Sequence, residues 1–213
     1  IRRQRQMCIR DRSMRVALVH DWLTGIRGGE KVLECLVELY PEATLFTLLH
    51  IPGTTLKNIE SLPIRTAFTQ NLPLVKTHYR WYLPIFPSAI ESLNLEGFDL
   101  VISSSHCVAK GVRPPTGALH VCYCHTPMRY VWDRFEDYFG TGMTARIVYG
   151  PIAARLRRWD VSSASRVDHF IANSNYVAER IQRYYDRKVD SIIPAPVDTD
   201  FFTRSNVSRE SYY

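Results

Sequence analysis

The strongest constraint in this chain is an alternation. Short runs rich in β-branched and other apolar residues are followed by segments whose apolar positions recur with helical spacing. Residues 14–20 (MRVALVH) read as a buried strand. Residues 28–40 (GGEKVLECLVELY) read as a helix, because Val32, Leu33, Leu36, Val37 and Tyr40 follow an i, i+3, i+4 pattern. Further strands are predicted over 43–49, 63–68, 98–103, 119–124, 169–172 and 189–193, with a helix over 174–185 whose N-cap is Ser174. Strand and helix in turn predict an α/β fold: a Rossmann-like, doubly wound, mostly parallel sheet with both faces covered. Residues 71–95 differ. Their prolines and basic-aromatic core, Lys76 to Leu83, predict two short helices broken around Pro84 and Pro87. A longer helix is predicted over 151–167, with an apolar stripe of Ile152, Leu156 and Trp159 and a wet face holding Arg155, Arg157 and Arg158.

Charge narrows the function. The chain of 213 residues carries a formal +6, but residues 1–13 hold five Arg and one Asp, or +4, leaving +2 for the other 200. Without that segment a nucleic-acid partner loses its electrostatic support. Residues 1–13 show neither helical nor strand periodicity and are expected to be a non-native or disordered tail. No apolar run reaches the roughly 18–20 residues of a membrane span. Five cysteines, of which Cys35, Cys107, Cys122 and Cys124 sit in apolar runs, fit reduced thiols of a cytoplasmic protein. The spacing Cys122-x-Cys124-His125 is unlike the usual zinc pairs, and no metal is expected.

In open parallel sheets, ligands bind beyond the carboxyl ends of the strands. The predicted strands run into His20-Asp21, Ser103 to His106, His125-Thr126-Pro127 and Asn173-Ser174-Asn175, which describes a polar cleft along one edge. Gly28-Gly29 at a helix start leaves backbone N–H groups bare for an anion such as phosphate. A tight turn requiring glycine explains the pair equally well. The glycine spacing is not G-x-G-x-x-G, and the second strand ends without an acidic residue, so a nicotinamide-dependent oxidoreductase is disfavoured. His125 taken singly reads as a histidine satisfied at the sheet edge; its company at the cleft argues for a ligand contact.

Four ordered blocks resemble the N-terminal halves of bacterial family-4 retaining glycosyltransferases, many of them mannosyltransferases. They are residues 20–34 (HDWLTGIRGGEKVLE), 123–133 (YCHTPMRYVWD), 171–181 (IANSNYVAERI) and 193–201 (IPAPVDTDF). In the last block Pro194 and Ala195 depart from the family's Tyr-Pro-Pro-Val-Asp linker. The resemblance implies one half of a two-domain GT-B enzyme, with residues 14–196 forming the acceptor-side domain. Residues 197–213 would begin the linker to a C-terminal donor domain. It implies transfer with retention and without a metal, from a GDP- or UDP-sugar (GDP-mannose foremost) to a glycan or lipid-linked acceptor, with peripheral contact at the inner face of the membrane. It implies His125 at the transferred sugar as the catalytic residue, and Gly28 and Gly29 at the donor diphosphate. Asp21, Glu30, Arg129 and Tyr130 would line the acceptor side, with Ser174 among the binding residues. The other reading is a stand-alone carbohydrate- or phosphate-binding α/β module without turnover.

Overall fold

The computed structural model describes residues 14–133, 135–140, 142–199 and 202. Seven strands form one sheet: β1 (Val16–His20), β2 (Thr44–Thr47), β3 (Ile64–Thr66), β4 (Leu100–Ser105), β5 (Leu119–Cys124), β6 (His169–Ala172) and β7 (Ser191–Ile192). Their order is β3-β2-β1-β4-β5-β6-β7 and every pairing is parallel. The mostly parallel sheet expected from the sequence is thus wholly parallel among the described residues. The helices are α1 (Gly28–Leu39), α2 (Lys57–Glu60), α3 (Val75–His78), α4 (Phe86–Glu91), α5 (Arg129–Trp132), α6 (Phe135–Phe139), α7 (Met143–Ala164) and α8 (Asn175–Tyr185). Short 3₁₀ segments cover Phe68–Asn71, Tyr79–Ile85 and Ala109–Gly111.

Alternation along β1 shows why the sheet is doubly covered. Val16 and Leu18 pack with Leu33 and Val37 of α1 on one face. Ala17 and Val19 pack on the other, in a cluster that includes Val75, Phe86, Ile90 and Leu156. Successive side chains point to opposite faces, so only a run apolar at every position can sit between two helical layers. A third cluster joins Cys122, Cys124 and Phe170 to Val177 and Ile181 of α8.

One device sets register at the amino edge three times. Asp99, Asp168 and Asp190 each stand one residue before a strand, and each accepts a backbone N–H at or just before the start of a neighbouring strand. The pairs are Arg15 to Asp99, His120 to Asp168 and Phe170 to Asp190, each at 2.8 Å. A one-residue slip would break these charge-assisted bonds and also invert the buried faces.

Strands β5 and β6 and helix α8, with Ser174 capping through its hydroxyl, match the sequence expectation. β4 runs two residues further than the expected 98–103, because its serines are satisfied sideways within the sheet. Ser103 pairs with His120, Ser104 with His20 and His125, and Ser105 accepts from the Lys110 backbone. Helix α7 begins at Met143 rather than at Pro151, which lies inside it; Met143, Ala145 and Arg146 are good helix formers and extend it beyond the proline. Cys107, Cys122 and Cys124 are buried and unbridged, whereas Cys35 is half-buried. The tail at 1–13 and most of the linker at 197–213 lie outside the described residues.

Candidate functional site

The strand order reverses between β1 and β4, and the side chains at those two strand ends begin the site. A cavity of about 480 Å³ opens there. Its wall includes Arg27, Gly28, Gly29 and Glu30 from the start of α1, His106 after β4, His125 and Thr126 after β5, and Arg129. Asn173, Tyr176, Val177 and Arg180 close the side nearest β6. A crevice at the switch point is where this sheet topology leaves room for a ligand.

Asp21 is wholly buried and organises one wall without lining it. Its Oδ2 accepts from the N–H groups of His106 and Cys107 at 2.7 and 3.0 Å, and its Oδ1 from Val108 and Ala109 at 2.6 and 2.8 Å. His106 Nδ1 lies 3.0 Å from Oδ2 as well. Burial opposes ionisation, but the rings of His106 and His20 and the amides of His106 and Val108 outweigh it and hold the carboxyl below its usual range. Asp21, expected on the acceptor side, does not line this cavity: five protein groups crowd the carboxylate, and none of it reaches solvent. Its effect is to hold the His106 ring at the cavity. That ring lies edge-on to Trp22, with centroids 4.5 Å apart.

A second buried carboxylate stands on the other side. Glu30 Oε2 accepts the Arg27 N–H at 3.0 Å, closing the first turn of α1. Its Oε1 faces His20 Nε2 at 3.9 Å, an ion-pair separation and not a hydrogen bond. Burial opposes ionisation of Glu30 too; the adjacent His20 and the backbone amides of Glu30 and Arg27 prevail and hold it low. His20 Nδ1 is 3.1 Å from Ser104 Oγ, and the same oxygen is 2.8 Å from His125 Nε2. His125 is pushed down to about 3, first by burial and then by the nearby His20 and His106, so its ring is neutral at neutral pH. Asn173 donates to the His125 carbonyl at 3.2 Å, fixing the backbone there.

Gly28 and Gly29 are not needed for a turn. Neither has a positive φ, which removes the backbone explanation the sequence left open. A methyl at Gly28 would meet nothing within 4 Å, and one at Gly29 would touch His20 Cε1 at 3.4 Å and His125 Nε2 at 3.8 Å. The pair therefore keeps the helix start bare and the space before the two histidines open.

Two expected residues are elsewhere. Tyr130 lines a separate cavity of about 510 Å³ with Arg80, Trp81, Leu83, Tyr138 and Ile152. Ser174 spends its hydroxyl on the Val177 N–H and on Asn173 Oδ1; Asn173 and Tyr176 beside it line the cavity instead. The structure also adds Ser104, whose side chain the sequence could not place, and Arg180. Arg180 is a charged residue on helix α8, where local pattern predicts exposure. Yet it is buried, donates to Thr126 Oγ1 at 2.7 Å and pairs with Asp133. A charged partner forty-seven positions away is invisible to local periodicity.

A parallel sheet with a cationic and imidazole-lined crevice at its switch point defines a Rossmann-like α/β domain. The chain belongs to Glycosyltransferase Family 4, whose model matches residues 30–201. Among solved structures it is similar in fold to HepE from Anabaena in complex with UDP, with a TM-score of 0.53 and 15% identity. That match covers 91% of this chain and 47% of the other, so the chain spans about half of that structure. Comparison with curated proteins returned no match.

Proposed function

We propose that this chain is the acceptor-side domain of a retaining glycosyltransferase that moves a hexose, foremost mannose, from a nucleotide sugar to a glycan or lipid-linked acceptor. The observation that carries this reading is the bare start of α1 set against two neutral histidines in one cavity. Helix N–H groups with Arg27 and Arg129 on the same wall suit a diphosphate. Uncharged imidazoles suit sugar hydroxyls, which donate and accept hydrogen bonds without carrying charge. The UDP in HepE supports a nucleoside diphosphate donor; between GDP and UDP we favour GDP on the resemblance to mannosyltransferases. In this reaction the acceptor oxygen bonds to the anomeric carbon as the bond to the leaving phosphate breaks, and the acceptor proton passes to that phosphate. His125 holds the transferred sugar, and Gly28 and Gly29 meet the diphosphate. A cytoplasmic location with peripheral membrane contact goes with this reading; among the described residues no helix is long and apolar enough to cross a membrane.

The donor is expected to need a second domain. A charge at a helix N-terminus is worth about 0.3–1 kcal/mol, whereas micromolar affinity needs about 8 kcal/mol. Calorimetric titration of residues 14–213 with GDP- and UDP-sugars should therefore give no low-micromolar binding, and the protein extended by its C-terminal domain should bind. In that longer protein, transfer from a panel of nucleotide sugars identifies the donor, and the anomeric proton coupling of the product reports retention. His125→Ala should abolish most turnover while the melting temperature holds. Tight donor binding by this chain alone, or wild-type turnover in the variant, would overturn the assignment.

A further inference from the structure

Two segments of this chain, 67–90 and 138–159, contain no acidic residue. They hold Lys76, Arg80, Arg146, Arg155, Arg157 and Arg158, a formal +6, whereas residues 14–213 as a whole sum to +2, so the remainder of that stretch sums to −4. The fold brings the two segments together. Arg80, Trp81, Leu83 and Pro84 of the first share the cavity of about 510 Å³ with Tyr138, Tyr149 and Ile152 of the second. Large apolar side chains stand in water on both. Trp81 is 67% exposed, its ring against His78 with centroids 4.2 Å apart. On α7, exposed Val148 shares a stripe with Ile152 and the exposed Arg155, and Met143 and Ile147 extend the apolar surface one turn apart. Leu74 has a φ of 52°, a left-handed conformation that a leucine adopts at a steric cost. Its side chain is 64% exposed, so little burial within this chain offsets that cost.

We propose that this basic, aromatic face, formed by residues 74–85 with the first turns of α7, docks onto the surface of an anionic lipid bilayer. Charge selects the partner: Lys76, Arg80 and Arg155 are exposed on a face without carboxylates, in a chain whose other residues sum to a negative charge, and phosphate headgroups carry the opposite sign. The rings agree, since Trp81, Tyr138 and Tyr149 each join an apolar body to a polar edge, which suits the boundary between headgroups and hydrocarbon. A saccharide would use those rings and Arg80, but it leaves Leu74, Met143 and Ile147 in water; a bilayer covers them. Among the described residues no helix is long and apolar enough to cross a membrane, so the contact is one of lying on the surface. Helix α5 joins this face to the candidate site. Arg129 lines the cavity at the switch point and Tyr130 the one beside Trp81, because consecutive helical side chains point about 100° apart. The proposal rests on the transferase reading for the use of the contact, access to a lipid-linked acceptor, but the face itself is a property of this chain's surface.

The test is co-sedimentation of the full chain with vesicles of phosphatidylcholine, with and without phosphatidylglycerol, alongside tryptophan emission. The expected result is binding to the phosphatidylglycerol vesicles, weaker as salt is raised, and little binding to phosphatidylcholine alone. Replacing both Lys76 and Arg80 by Gln should weaken binding by about tenfold or more, since two cations leave an anionic surface. Trp81→Ser combined with Ile147→Ser should do likewise, with circular dichroism confirming the fold. Trp81→Phe keeps the apolar contact, so it should still bind but lose most of the blue shift in emission. Equal binding to both kinds of vesicle would overturn the proposal. So would unchanged affinity in the two double variants, the result expected if the basic residues 1–13 make the contact. A dimer in sedimentation velocity that Trp81→Ser with Ile147→Ser dissolves would assign the face to a second copy instead. No sugar enters these measurements, so vesicle binding by an inactive enzyme, or transfer by a protein that ignores vesicles, tells this proposal from the transferase reading.

Discussion

Lys110→Met should be among the most destabilising single changes in this chain. Lys110 and Asp160 are 1% and 0% exposed, with Nζ 2.8 Å from Asp160 Oδ1. The ammonium also donates to the Asp160 carbonyl at 2.7 Å and to Ser163 Oγ at 2.8 Å, and it lies 4.7 Å from the Tyr185 ring centroid. The other carboxylate oxygen accepts from Trp132 Nε1 at 2.8 Å and from Tyr185 OH at 2.9 Å. Methionine keeps the length of the side chain but leaves a buried carboxylate with two neutral donors. Removing one partner of a buried pair costs about 3–5 kcal/mol, a large part of the roughly 5–15 kcal/mol that holds a domain folded. At about 2–4 °C per kcal/mol for a chain of this size, the melting temperature should fall by roughly 6–20 °C. Urea unfolding followed by circular dichroism and by fluorescence suits the measurement, since Trp132 and Trp159 both stand at the site. Asp160→Asn should cost a similar amount. The double variant should cost clearly less than the sum, with a coupling of about 2 kcal/mol or more, within the range seen for residues in contact. A loss below about 1 kcal/mol for Lys110→Met, or additive single effects, would show that the pair is not desolvated and would refute the reasoning. The region matters for the site: Lys110 pins from behind the same segment, His106 to Ala109, whose amides hold Asp21.

Other outcomes follow from the same packing. Gly111→Ala places a methyl 2.3 Å from Trp159 Cη2, and Trp159 Nε1 is tied to Glu91 at 2.6 Å; overpacking of this kind should cost about 1–3 kcal/mol in a denaturant titration. Gly28→Ala and Gly29→Ala should leave stability unchanged or raise it by up to about 1 kcal/mol, while transfer by the longer protein falls. A lower melting point would restore a purely structural role. Stability should decline on acidification before any carboxylate titrates: burial lowers His125 from 6.5 to about 3 and His120 from 6.5 to about 4, so the unfolded chain binds more protons in that window. The stabilisation is complete above about 6.5 and is lost as pH falls toward the folded values. The urea midpoint should thus be lower at pH 5 than at pH 7.5, with a flatter slope in His120→Gln; equal midpoints would contradict the buried neutral rings.

Local pattern settled whatever depends on near neighbours in the chain. The helical stripe of α1, the short apolar run of β5 and the Ser174 cap are all written within about ten residues, so the sequence is enough to place them. The α/β class follows from their succession. So does the list of polar residues beyond the strand ends, because parallel strands all deliver their carboxyl ends to one edge. Tertiary structure decided which of those residues face the cavity and which support others. Asp21 and Glu30 look alike in sequence, two carboxylates flanking a glycine-rich stretch. Only the return of β4 eighty-five positions later puts four amides around Asp21, while Glu30 is left at the cavity wall. Gly28 and Gly29 read equally as turn or anion site until their φ values were known. Ser104 reads as an ordinary polar residue beyond a strand. It becomes the link between two histidines because the parallel register sets His20 of β1 against it and β5 brings His125 to its other side. Such links join residues far apart in sequence, and no periodicity carries them: they exist only once the sheet has set its order.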